Sequence, residues 1–237
     1  MSETFIYIIL GVFDSLACLL LVLKIFMLPI WDYRYKVIGY CLLSSLSSYL
    51  VRIVLDMPRL DTPLQFLYCI LFLRFLLHMR THLSAFAAGT GFTLYINLQL
   101  LIFFLAASLG IAGNRVILDT AGFSVHFIQI LSILFAYLVA FVLYRYNLGF
   151  SFIIQPPHDF FKREDYKSSL NILLLAGVVI SIMTICLTIF FLYNMNPYGT
   201  IAITLIAFSI SYYFSQRGDY EDARKSIEAH SRRNKKS

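Results

Sequence analysis

Between Phe5 and Phe214 the chain alternates long apolar runs with short polar breaks. A helix needs about 20 mostly apolar residues to cross the hydrocarbon core of a bilayer. Inside lipid every backbone N–H and C=O must be bonded within the protein, so runs of this kind cross as helices. The runs fall at Phe5–Met27, Val37–Leu55, Leu64–Leu77, Leu83–Leu109, Phe123–Tyr144, Leu170–Tyr193 and Thr200–Phe214. The third is short and extended by its flanks, and the fourth is long enough to tilt. Asn196, Pro197 and Gly199 in "NMNPYG" supply turn chemistry between the last two runs. The expectation is an all-α, polytopic integral membrane bundle of about seven transmembrane helices over residues 1–216. A basic tail, 217–237, follows.

Composition agrees. The chain is 59% hydrophobic and 14% charged, against about 45–50% and about 25% in soluble domains. A soluble core grows too slowly with chain length to hide that much apolar surface. The net charge of +6 does not point to nucleic acid, because the basic residues sit in the tail and in a few loops. With the N-terminus outside and the tail cytoplasmic, fourteen Lys and Arg residues fall inside and two, Arg59 and Arg115, outside. That is the positive-inside distribution, and an even number of spans would spoil it. Tyr7, Trp31, Tyr33, Tyr144, Tyr193, Tyr198, Tyr212 and Tyr213 fall near the expected interfaces. The first run is too long for a signal-peptide core, and its basic residues follow it, so it is expected to remain as a span. A multi-pass protein of the cell membrane is the expected location.

The four cysteines each lie within an apolar run and share no metal-ligand spacing, so they read as small core residues. His78 and His82 are four apart, without an evident third ligand. Walker A, GxSxG and HExxH patterns are all missing. No catalytic residue, metal or cofactor is expected.

The loop 146–168 is too polar and proline-broken to cross. Its Phe150, Phe152, Ile153, Phe160 and Phe161 are expected in the inner headgroup layer, with Lys162 and Arg163 facing anionic lipid. This loop and the tail are also the expected docking elements for a cytoplasmic kinase or response partner. The tail can continue the last helix, with Glu221 and Lys225 supporting each other at four residues' spacing. Tyr220, Ala223 and Ile227 give a heptad-like stripe, which suits a homodimer.

Ionisable and amide groups inside spans are the candidate site. Lys24 and Arg74 lie near span ends and can snorkel. Asp14 lies too deep for its short side chain to do so and must be protonated, paired or wetted. Arg52 sits just inside the outer end of the second span, where Asp14 below it and Asp56 above it are competing partners. Asn97 and Gln99 lie near mid-membrane and, two apart, face different directions. Ala85 with Gly89, and Ala87 with Gly91, have the spacing that lets helices approach closely. Ser44, Ser45, Ser47 and Ser48 give the second span a small packing face.

Residues 8–105 resemble the membrane-embedded sensor region of histidine kinases from spore-forming and related Gram-positive bacteria, the accessory-gene-regulator type included. Gly11, Val12, Phe13 and Asp14 stand where that family often has a Gly-Ile-Pro-Glu element, with aspartate for glutamate and phenylalanine for proline. The Ile38–Gly39 pair comes after a basic loop, and Tyr49, Leu50, Val51 and Arg52 match an aromatic–aliphatic–aliphatic–Arg element. Residues 217–237 carry no ATP-binding pattern, so no kinase domain is expected in them. The resemblance implies a sensor or receptor module without its own output domain, signalling through a separate partner. The alternative is a small membrane transporter or transporter subunit, with Asp14, Arg52, Asn97 and Gln99 lining its path.

Overall fold

The computed structural model describes residues 2–113, 116, 122–153 and 168–234. Regular structure among them is entirely helical. The long helices are α1 (Ser2–Ile25), α2 (Arg34–Tyr49), α3 (Asp61–Leu71), α4 (Thr81–Ser108), α5 (Phe123–Tyr146), α6 (Ser169–Tyr193) and α7 (Pro197–Asn234). α2 runs on into a π-helical turn, Leu50–Val54, and α3 into another, Phe72–Leu76. Six helices are long and apolar enough to cross a membrane. α3 is the exception, with 11 residues before its turn. It nevertheless reaches both ends of α2. Arg52 Nε donates to Asp61 at one end (2.5 Å), and Lys36 Nζ donates to the Leu76 carbonyl at the other (2.7 Å). α3 therefore crosses the same layer, and seven helices alternate in direction.

Helices α1 to α6 all end in the same way. A left-handed residue stops the helix, and the next amide closes back onto it. The stop is Gly110 in α4, but Met27, Asp56, His78, Asn147 and Met195 elsewhere, all near φ 50–56°. The closing amides are those of Leu28, Met57, Met79, Ile111, Leu148 and Asn196. In α2 and α3 the bond reaches back six residues, Met57 to Val51 and Met79 to Leu73, because the π turn holds one extra residue. "LVRIVLDM" and "FLRFLLHM" thus form matched turns at opposite ends of the bundle. α7 starts conventionally, with Pro197 at its first turn and the Asn196 side chain accepting from Gly199 N (2.9 Å).

α4 is the most enclosed span. Its small residues explain this, as their spacing predicts. A Cβ on Gly91 would lie 2.9 Å from the Val22 Cα of α1, and Gly89 meets Ser181 of α6. The serines of α2 form the expected packing face: Ser44, Ser45 and Ser48 are buried, and Ser45 Oγ donates to the Ile8 carbonyl of α1 (2.7 Å). α6 and α7 contribute comparable seams, Gly177–Ser181–Thr184–Thr188 and Thr200–Thr204–Ala207–Ser211–Ser215. Close backbone approach through small residues is what binds helices in lipid, where burial of apolar surface gives little.

The loop after α5 departs from expectation. Phe150 packs on Phe26, while Phe152 and Ile153 are 7% and 2% exposed, inside the bundle and not in the headgroup layer. Two features draw the chain inward. Gly149 lets it pass against the Lys24 and Ile25 carbonyls, with Phe150 N donating to Ile25 O (2.7 Å). Asp219 of α7 then accepts from the amides of Ser151 (2.7 Å) and Phe152 (2.8 Å). Buried aromatic surface with satisfied amides outcompetes the headgroup layer. Phe160, Phe161, Lys162 and Arg163 lie outside the described residues. In the tail, α7 continues through Asn234, and Glu221 takes Arg217 as its ion-pair partner (3.6 Å) in place of Lys225, whose side chain is outside the described ones. Tyr220 and Ile227 are exposed.

Candidate functional site

A cavity of about 290 Å³ opens in the half of the bundle that holds Arg52, walled by all six helices α1–α6. The helix ends shape its floor and sides. The π turn of α2 swings Arg52 toward the start of α3, where Asp61 is 2% exposed. Arg52 pairs with Asp61, not with Asp14 or Asp56. Asp56 is spent as the left-handed stop of its own helix, which leaves Arg52 to the next acid in the chain. Asp61 is fully engaged, since its second oxygen accepts from Gln65 Nε2 (3.1 Å). An acid at a helix N-terminus is also favoured by the helix dipole.

Asp14 lines the same cavity from α1. It accepts a short hydrogen bond from the Tyr95 hydroxyl of α4. Gln99, one turn along α4, also lines the cavity. Of the four sequence candidates, Asp14, Arg52 and Gln99 therefore meet in one place. Asn97 does not. Its amide nitrogen donates to the carbonyls of Thr93 (2.9 Å) and Thr204 (3.1 Å), and its oxygen accepts from Thr204 Oγ1 (2.7 Å). Asn97 is a clasp between α4 and α7, fully used by the protein. The two-residue offset from Gln99 separates the two roles, because it turns the side chains to different faces.

The neighbouring hydroxyls are mostly committed. Ser15 Oγ donates to the Gly11 carbonyl (2.8 Å) and lies 3.1 Å from Ser44 Oγ. Tyr7 bonds Ser48 (3.1 Å) and lines the cavity instead of serving only as an interfacial aromatic. Ser132 of α5 and Thr188 of α6 differ. Both line the cavity and are 0% and 1% exposed, yet their hydroxyls have no hydrogen-bond partner among the described residues.

Sequence patterning missed Asp61, Tyr95, Ser132 and Thr188. Tyr95 carried a usable signal, standing four residues before Gln99 on one helix face. Ser132 and Thr188 carried none, since lone hydroxyls in apolar helices usually bond their own backbone. Among the described residues no three His, Cys, Asp or Glu side chains gather as a metal would need. Compared with known proteins, the chain matches no family model, no curated protein and no solved structure.

Proposed function

We propose that this membrane protein is a receptor-like module of the bacterial cell membrane that takes a small ligand into the Arg52-end cavity. Its N-terminus lies outside and its tail in the cytoplasm. The asymmetry of the bundle carries this reading. Among the described residues the Arg52-end cavity reaches as far as Cys18 and Ser132. Phe26, Phe86 and Phe152 pack beyond it with their rings about 6 Å apart, and a separate pocket of about 320 Å³, lined by Lys24, Asp32 and Asn147, opens at the other end. A dead-end pocket over a packed plug suits recognition, whereas transport needs a polar route through both halves. The patterned resemblance of α1 and α2 to kinase sensor regions points the same way. α6 lines the cavity and packs as a hairpin with α7, and α7 holds the inner loop through Asp219. Occupancy shifts α7 only if the ligand prefers one packing over another. The loop and the α7 tail would then address a separate cytoplasmic partner.

The test fills the cavity without a ligand. Gln129→Trp places an indole in it, and spin labels at Tyr35 and Tyr220 report the distance from α2 to the α7 tail. A shifted distance distribution is expected. Identical distributions would overturn the receptor assignment, and solute uptake into proteoliposomes that Gln129→Trp abolishes would favour the transporter.

A further inference from the structure

The cavity holds two carboxylates in unlike circumstances. Asp61 has a guanidinium and an amide on its two oxygens. Asp14 has one neutral donor, the Tyr95 phenol, among the described residues. Among the described residues, the charged groups facing the cavity are Asp14, Arg52 and Asp61, and the last two pair with each other. An ionised Asp14 would then have no cation of its own among the described residues, and an uncompensated carboxylate inside the membrane is costly. Nearby serine hydroxyls offer it nothing, because they donate to backbone carbonyls.

The opposite wall adds a second requirement. Ser132 and Thr188 present buried hydroxyls without protein partners among the described residues, and a buried polar group left unbonded is also costly. Aromatic side chains complete the lining: Tyr7, Tyr95, Phe92 and Phe103. Aromatic rings attract organic cations. At about 290 Å³, the cavity falls at the lower bound of small-molecule sites, roughly 300–1,000 Å³. It has room for a small solute or a headgroup and none for a folded peptide.

We propose that the cavity binds a small organic ammonium ion that also carries a hydroxyl or carbonyl. The ammonium sits against Asp14 and the aromatic rings, and the polar end bonds Ser132 and Thr188. This assignment rests on the receptor reading of the cavity and names its ligand class.

The probe is choline, compared with its neutral carbon isostere 3,3-dimethyl-1-butanol. The full chain is titrated in phosphatidylglycerol nanodiscs, where no lipid amine competes. Choline is expected to bind at least tenfold tighter than the isostere. Asp14→Asn should erase that difference by weakening choline alone. Ser132→Ala with Thr188→Val should weaken both compounds about equally. Equal binding of choline and isostere, or binding of neither, overturns the proposal without any variant. In phosphatidylcholine discs, an unchanged choline response assigns a free solute, and a response already saturated assigns a lipid headgroup. If choline fails while Gln129→Trp still moves α7, the ammonium assignment falls and the receptor stands. Choline binding with an unmoved α7 gives the reverse.

Discussion

The C-terminal turn of α2, Leu50–Met57, and that of α3, Phe72–Met79, share a backbone and nearly a sequence. Each has arginine third, a left-handed residue seventh and methionine last. Their arginines do unlike things. Arg74 donates to the carbonyl of Met79 in its own turn (3.0 Å). Arg52 leaves its turn and pairs with Asp61, nine residues on. The cause lies in the helix that comes next. α3, after the first turn, opens with an acid, Asp61; α4, after the second, opens with Thr81. The shared turn fixes where an arginine emerges from the layer. In α2, the next helix start supplies the acid that makes its arginine the wall of a cavity.

The largest contrast concerns position. With Cys186 changed to alanine and the other three cysteines buried, Asp56→Cys should label fully in intact cells. His78→Cys should label only after permeabilisation. Labelling of both from one side would end the comparison and the seven-helix crossing with it.

The next effect is energetic. Arg52→Ala strands a buried carboxylate and should cost about 3 kcal/mol of folding stability, read as a lower midpoint in a denaturing-detergent titration. Arg52→Met with Asp61→Leu should recover most of that loss, because an apolar pair replaces a buried ionic one at little cost. Additive losses would show that the two side chains are not coupled.

In Arg74→Ala, the lost bond to the Met79 carbonyl alone should contribute about 1 kcal/mol. A loss matching that of Arg52→Ala would erase the difference between the two turns. Smallest of all, Asp56→Gly and His78→Gly each relieve a left-handed backbone while loosening the unfolded chain. The net change should be within about 0.5 kcal/mol and alike at both sites. Unlike signs would mean the two turns are not equivalent.

The helices were legible because lipid imposes a length and a polarity rule on every span. Each run read from the sequence lies on a helix, Leu170–Tyr193 against Ser169–Tyr193 for instance, although α7 continues well past the last run, Thr200–Phe214, to Asn234. The glycine spacing of α4 was legible for the same reason, since it repeats along one face. The site was legible only in its polar members within spans. Asp61 was hidden because it begins a helix after "DMPR", where an acid looks like an ordinary loop residue. Ser132 and Thr188 belong to helices far apart in sequence, and only the packing brings them to one cavity. The inner loop misled for a third reason: its aromatics are buried by contacts with α1, α4 and α7 that no local pattern records.

α7 is 38 residues long, about 57 Å of helix against about 30 Å of hydrocarbon. Its contact with the inner loop falls at Gly218 and Asp219, where the Phe152 ring leaves no space for a Cβ and two amides are held by one carboxylate. That contact is placed like the fulcrum of a lever. From Asp219 to Asn234 the helix runs on for about 22 Å, so a tilt of about 10° inside the bilayer carries its tip through about 4 Å.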